Sequence, residues 1–188
     1  MISPQLKEIL RSSLFINRIV WASITISIGA YVVVAWTSAQ QPGTSSAVSE
    51  TLQLSMFVAA IAIGFLSLLI PRYLPSDKHI RSFFLEDVAP EDLARNPQLD
   101  VVDPDRLRMI QALDPIERKL VRLPSLYFTP FILRLVLNEA IVIFGLVLSF
   151  ISHTFPPILP FAVAALTLNI IAFPKIDRFA ERASRFVY

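Results

Sequence analysis

The residues with the most chemical potential are Asn138 and Glu139, which sit inside the apolar run LRLVLNEAIVIFGLVLSF at positions 133–150. A charged side chain at the centre of a bilayer costs about 3 kcal/mol on insertion scales. An acid placed there is expected to be protonated, paired, or turned toward a wet cavity. Two kinds of chemistry fit. In the first, a neutral Glu139 and neighbouring amides hydrogen-bond across helices and fasten them, each bond contributing well under ~1–2 kcal/mol. In the second, Glu139 takes up and releases a proton or cation, since ionisable groups inside membrane helices mark ion pathways.

If this helix enters the bilayer near Pro130, Glu139 lies roughly 10 Å inside it at 1.5 Å per residue. Counting from the ends of the other apolar segments brings Asn169, Ser67, Ser23 and Thr25 to a similar depth. Arg18 and Arg134 fall just below, able to snorkel outward or reach up. With Asn138 these residues form an expected polar layer centred on Glu139.

Other chemistry finds few residues to work with. The chain of 188 residues has no cysteine, which excludes disulfides, thiolate metal sites and cysteine nucleophiles. Its two histidines, His79 and His153, are far apart and lack carboxylates at ligand spacing, so no metal site is expected. Four glycines build no phosphate loop, and no nucleophile elbow or HExxH occurs. Glu139, Asn169 and the two arginines include no nucleophile–base pair. The expectation is a non-enzymatic protein without a cofactor.

The elements that must position the layer follow from hydropathy. Apolar residues make up 54% of the chain, against about 45–50% in soluble domains. A membrane helix needs roughly 20 mainly apolar residues. Windows at 19–36, 52–70, 131–151 and the shorter 157–173 meet or approach this, predicting an all-α membrane protein with four transmembrane helices. Pro71 is read as ending the second span. Thr129-Pro130 is read as the N-cap and first turn of the third, and Pro156-Pro157 and Pro174 as brackets of the fourth. Ala60, Gly64 and Ser67 share one face of the second span, and Ser23 and Ser27 are stacked in the first, as close helix contacts require.

All 17 lysines and arginines lie outside the connections at 38–51 and 152–156. The positive-inside rule then places both termini and the long loop in the cytoplasm, in a multi-pass protein of the bacterial inner membrane. Residues 1–39 resemble a secretory signal, with Thr37-Ser38-Ala39 as a cleavage site. Their apolar run of about eighteen residues is longer than the usual 7–15, so the segment is read as a retained span.

The expected organisation is therefore an amphipathic N-terminal helix at 1–18, a hairpin at 19–71, and a cytoplasmic loop at 72–130. A second hairpin follows at 131–174, then a basic amphipathic tail at 175–188. Leu6, Ile9, Leu10 and Leu14 form one stripe of the N-terminal helix, whose start is signalled by Ser3 and Pro4. Arg178, Arg182 and Arg185 form the basic face of the tail. Both are read as lying on the membrane surface, the alternative being a tail helix packed on the loop. Within the loop, Pro90, Pro104 and Pro115 mark short helices, the last with Asp114 and Glu117 in capping-box register. Their apolar residues are too few for a sizeable independent core. Acids and bases alternate through the loop, leaving no stripe for nucleic acid.

The stretch from Glu139 through Ala140 to Phe144, Gly145, Leu146 and Val147 resembles the ion-carrying helix of the proteolipid (c) subunit of rotary ATPases. There a membrane glutamate is followed by alanine and an aromatic-Gly-Leu-Val stretch at the same offsets. The resemblance is local, covering residues 138–150, and implies that Glu139 carries a proton or sodium ion. The chain as a whole looks like a small bacterial inner-membrane protein. Its expected function is that of an accessory or scaffold subunit of a larger membrane complex. Partners would be the lipid bilayer and either other proteins or further copies of the chain. The alternative is an oligomeric proton- or cation-coupled transport component using Glu139.

Overall fold

The computed structural model of the protein describes residues 3–41, 47–73, 89–96 and 101–174. Their regular elements are helices apart from one antiparallel pair of two-residue strands. In chain order the elements are α1 (Pro4–Ala39), α2 (Glu50–Tyr73), α3 (Pro90–Ala94), β1 (Arg95–Asn96), β2 (Val101–Val102), α4 (Pro104–Gln111), α5 (Pro115–Leu120), α6 (Leu123–Ser152) and α7 (Ile158–Ile171). The chain divides into two compact units. One comprises Met1–Asn17, Pro75–Thr129 and Pro174–Tyr188, and the other Arg18–Leu74 and Pro130–Phe173.

In the first unit the starts of the helices obey local rules. The Ser3 hydroxyl accepts from the Leu6 N–H at 3.2 Å, with Pro4 at the first helical position. Asp103 caps α4 by accepting from the N–H groups of Asp105 and Arg106 at 3.0 and 3.2 Å. The capping box expected at α5 does not form. Asp114 makes no side-chain cap bond, and Glu117 instead accepts from the Ser3 N–H at 2.6 Å. Arg118 donates to the carbonyls of Leu113 and Gln111, beyond and at the end of α4. β1 and β2 pair Arg95 with Val102 and Asn96 with Val101.

Two expectations need correction here. α1 is one continuous helix through Arg18, where a separate surface helix and span were expected. No proline interrupts it after Pro4, and its Gly29 does not adopt a positive φ. The apolar stripe of its first turns is also not left for lipid. Leu6, Ile9 and Leu10 are buried with Ala94, Ile110, Leu113, Leu120 and Val121 in a single cluster. The loop fragments are too small to bury their own apolar faces, and these three side chains complete the core. The packed-tail alternative therefore describes the N-terminal segment. The C-terminal residues 175–188, with Arg178, Arg182 and Arg185, lie outside the described residues.

The second unit is built from the rest of α1 with α2, α6 and α7. α1, α2 and α6 contain segments long and apolar enough to cross a membrane. α7 has 14 residues, about 21 Å at 1.5 Å per residue, short of the ~30 Å hydrocarbon core. Proline again behaves differently from expectation. α6 begins at Leu123 and carries Pro130 in its interior. Pro124 occupies the first turn, where a missing N–H leaves no bond unmade. α2 likewise continues through Pro71 to Tyr73. Pro157 does precede α7, and Pro174 lies beyond its end.

The surface of this unit is oily. Ile26 and Ile61 are 72% and 71% exposed, and Phe65, Val163 and Ile170 more than 60%. Its interior combines an apolar cluster with buried polar groups. Ile28 and Ala35 of α1, Ala60 of α2, Ile141, Val142 and Leu148 of α6, and Ile158, Phe161, Ala162 and Ala165 of α7 form the cluster. Gly145 lets α6 and α7 approach closely, since a Cβ there would lie 2.9 Å from Phe161 Cβ and 3.0 Å from Ile158 Cα. α6 ends in a Schellman motif. The Thr154 N–H reaches the Ser149 carbonyl and the His153 N–H that of Phe150, with His153 at φ 50°.

Candidate functional site

A chain of side-chain hydrogen bonds crosses the second unit. Ser67 on α2 donates to Asn138 Oδ1 on α6 at 2.6 Å. Asn138 Nδ2 donates to Asn169 Oδ1 on α7 at 2.8 Å. Asn169 Nδ2 reaches Thr25 Oγ1 on α1 at 3.5 Å, the longest link. Four helices are thereby tied through four side chains, three of which (Ser67, Asn138, Asn169) are fully buried. Leaving any of them unpaired would cost roughly 1–3 kcal/mol.

Trp21 supports the same layer. Its indole N–H donates to the Asn169 carbonyl at 2.8 Å, satisfying a backbone acceptor in the last turn of α7, where carbonyls lack helical partners. The ring meets Phe173 edge-on at 5.0 Å, and the Arg18 guanidinium lies 5.7 Å from the centre of that same ring. At this range the arginine contributes a cation–π contact.

Glu139 stands apart from this chain although it follows Asn138 in sequence. Successive residues on a helix point about 100° apart, so the two side chains meet different neighbours. Glu139 Oε1 is 2.8 Å from Ser27 Oγ and 2.8 Å from Tyr31 Oη, both on α1. Ser27 Oγ also lies 2.7 Å from the Ile24 carbonyl of its own helix. Glu139 is half-buried rather than sealed.

Of the residues expected in one layer, the structure joins Asn138, Asn169, Ser67 and Thr25. It places Glu139 on a second contact one helical step away. Ser23 is exposed, and Arg134 is half-buried one turn before Asn138. Arg18 takes part through Phe173 rather than through the acid. Sequence reasoning missed Tyr31 and Trp21 and gave Ser27 only a packing role. The signal was present for Tyr31. Ser27 and Tyr31 are four residues apart, which puts two hydroxyls on one helix face.

Among the described residues no three His, Cys, Asp or Glu side chains gather as metal ligands. Comparison with protein-family models, with curated proteins and with solved structures finds no match for the chain.

Proposed function

We propose that the protein is a four-helix integral membrane protein serving as an accessory or scaffold subunit of a larger membrane complex, with no reaction chemistry of its own. One observation carries this reading: the buried Ser67, Asn138 and Asn169 of α2, α6 and α7, with half-buried Thr25 of α1, are hydrogen-bonded to one another from helix to helix. Such a network fixes helix order and register, the work of a structural subunit. The extensive apolar outer faces suit lipid or neighbouring membrane helices.

α7 acts as the fourth span in this proposal, its short length met by local thinning of the bilayer. The N-terminal turns and the loop share one core, which supports placing both on one side. The concentration of lysine and arginine makes that side the cytoplasm of a bacterial inner membrane. The test is solubilisation of native membranes in mild detergent followed by native electrophoresis. A band well above the detergent-bound monomer, with reproducible co-migrating proteins, is expected. A lone monomer without partners would remove the basis for an accessory role.

A second reading is favoured by the half-buried position of Glu139, outside the sealed network and next to two hydroxyl groups. In an oligomer that acid could load and release a proton or cation, as the local likeness to the rotary-ATPase proteolipid implies. Gly145, part of that likeness, is used here for contact with Phe161 and Ile158. Proteoliposomes carrying Glu139→Gln decide: a transport component loses its proton or cation flux, and unchanged flux excludes it.

A further inference from the structure

Aromatic rings at the two ends of α7 mark how much hydrocarbon this side of the membrane-helix unit can fill. Trp21 of α1 meets Phe173, just beyond α7, with ring centres 5.0 Å apart and planes at 85°. At the opposite end Trp36 of α1 meets Phe155, just before α7, at 5.1 Å and 85°. The chain has no other tryptophan, and tryptophan rings in membrane proteins gather at the level of the headgroups. The exposed Arg18, whose guanidinium lies 5.7 Å from the Phe173 ring centre, adds a charge at the first end.

The two levels are close together. From Trp21 to Trp36, α1 rises about 22 Å at 1.5 Å per residue, and the 14 residues of α7 reach about 21 Å. Two helices thus give one figure by separate routes, roughly 8 Å short of the ~30 Å hydrocarbon core. Between the ring pairs, Ile26 and Val33 of α1 and Leu159, Val163 and Ile170 of α7 are exposed. Neither α7 nor α1 from Ile19 to Ala39 carries a charged residue.

α2 packs beside α7, with the rings of Phe57 and Phe161 4.6 Å apart, yet it is built for a thicker layer. Its apolar segment Glu50–Ile70 has 21 residues, about 31 Å. Tilt does not remove the contrast. Helices tilted alike shorten in proportion, and bringing α2 alone to the height of α7 takes roughly 45°, outside the usual range of about 0–40°.

We propose that the α1–α7 side is a binding surface for phospholipid with short acyl chains, while the outer face of α2 meets lipid of ordinary length. A short apolar segment is accommodated by a thinner lipid layer or by cover from other helices. The ring pairs favour lipid: they stand at both ends of α7, and Trp36 is half exposed at its level, as contact with headgroups requires. Short chains supply a thin layer without compression of longer ones, so they collect on this side. The inference rests on the membrane reading above and adds the lipid class that the thin side selects.

The test uses the full chain in vesicles of equal parts dimyristoleoyl- and dierucoyl-phosphatidylcholine, with bromine on the chains of one lipid or the other. Brominated short-chain lipid should quench the wild-type fluorescence, and that of Trp36 alone in Trp21→Phe, on the order of twofold to fivefold more than brominated long-chain lipid. A single tryptophan introduced on the exposed face of α2, as Phe65→Trp with Trp21→Phe and Trp36→Phe, should show no such preference. The wild-type measurement stands by itself should either variant fail to fold. Equal quenching of the wild-type protein by the two lipids overturns the proposal, as does the same short-chain preference on α2. Quenching on α2 with none at Trp36 also overturns it, because protein then covers the thin side. Absence of quenching at every position would instead remove the membrane reading itself, and native electrophoresis tests the accessory role separately.

Discussion

Two glycines of the membrane-helix unit should respond oppositely to the same substitution. In Gly145→Ala the new methyl carbon would sit 2.9 Å from Phe161 Cβ, 3.0 Å from Ile158 Cα and 3.0 Å from Phe161 Cδ2. Comfortable carbon contacts lie near 3.5–4.0 Å, so α7 must move away from α6 by about half an ångström. Two of the three obstacles are the backbone and Cβ of a helix, which no rotamer change can clear. Overpacking of this kind costs about 1–3 kcal/mol, offset by up to ~1 kcal/mol of helix propensity. A net loss of about 1–2 kcal/mol follows. At Gly64 the same methyl would meet only Leu168 Cδ1 at 3.5 Å and Ile141 Cδ1 at 3.6 Å, both ends of flexible side chains. Gly64→Ala should therefore gain roughly 0.5–1 kcal/mol from propensity and contact. The assay is reversible unfolding of the purified variants in mixed micelles. Equal stabilities for the two variants, or a Gly145→Ala protein more stable than its parent, would refute the argument from close approach.

Asn138→Ala removes two buried hydrogen bonds, which in membrane proteins average about 0.6 and reach about 1.7 kcal/mol each; unfolding should show a loss of roughly 1–3 kcal/mol. Combined with Ser67→Ala the losses should be less than additive, and strict additivity in a double-mutant cycle would argue against a shared bond. At the end of α6, His153→Gly should raise stability by about 1 kcal/mol by relieving a left-handed backbone, and His153→Val should lower it, both read from thermal unfolding. Leu6→Ala should cost about 2–5 kcal/mol within the first unit and make residues 89–122 more sensitive to limited proteolysis, while cleavage in α7 stays unchanged.

Helix existence was legible in the sequence because long apolar windows leave few alternatives. Helix ends were less so. Pro130 carried the strongest start signal of the third window, yet Pro124 lies six residues earlier and performs that role. A proline inside a helix costs ~3 kcal/mol or more in isolation, but neighbouring helices can re-satisfy the freed carbonyl. The polar layer was legible in depth and not in azimuth. Counting from helix ends brought Ser67, Asn138, Asn169 and Thr25 to one level, and the structure bonds them. The same count could not say which way Glu139 faces, and its partners Ser27 and Tyr31 lie higher on α1. The burial of Leu6, Ile9 and Leu10 was hidden for another reason. An amphipathic stripe is the same pattern whether it meets lipid or a protein core, and only the loop fragments needing a cover decide between them.

The bond between Ser3 and Glu117 joins residues 114 apart, and it has a bearing on biogenesis. At ~5–20 residues per second, the ribosome needs roughly 6–23 s to deliver the second half of that contact after the first has been made. During this interval Leu6, Ile9 and Leu10 lack Ile110, Leu113, Leu120 and Val121, with which they are buried in the folded chain. The core of the first unit can therefore close only after residues 110–121 have been made. Until then the apolar stripe of the first turns of α1 is the part that waits uncovered.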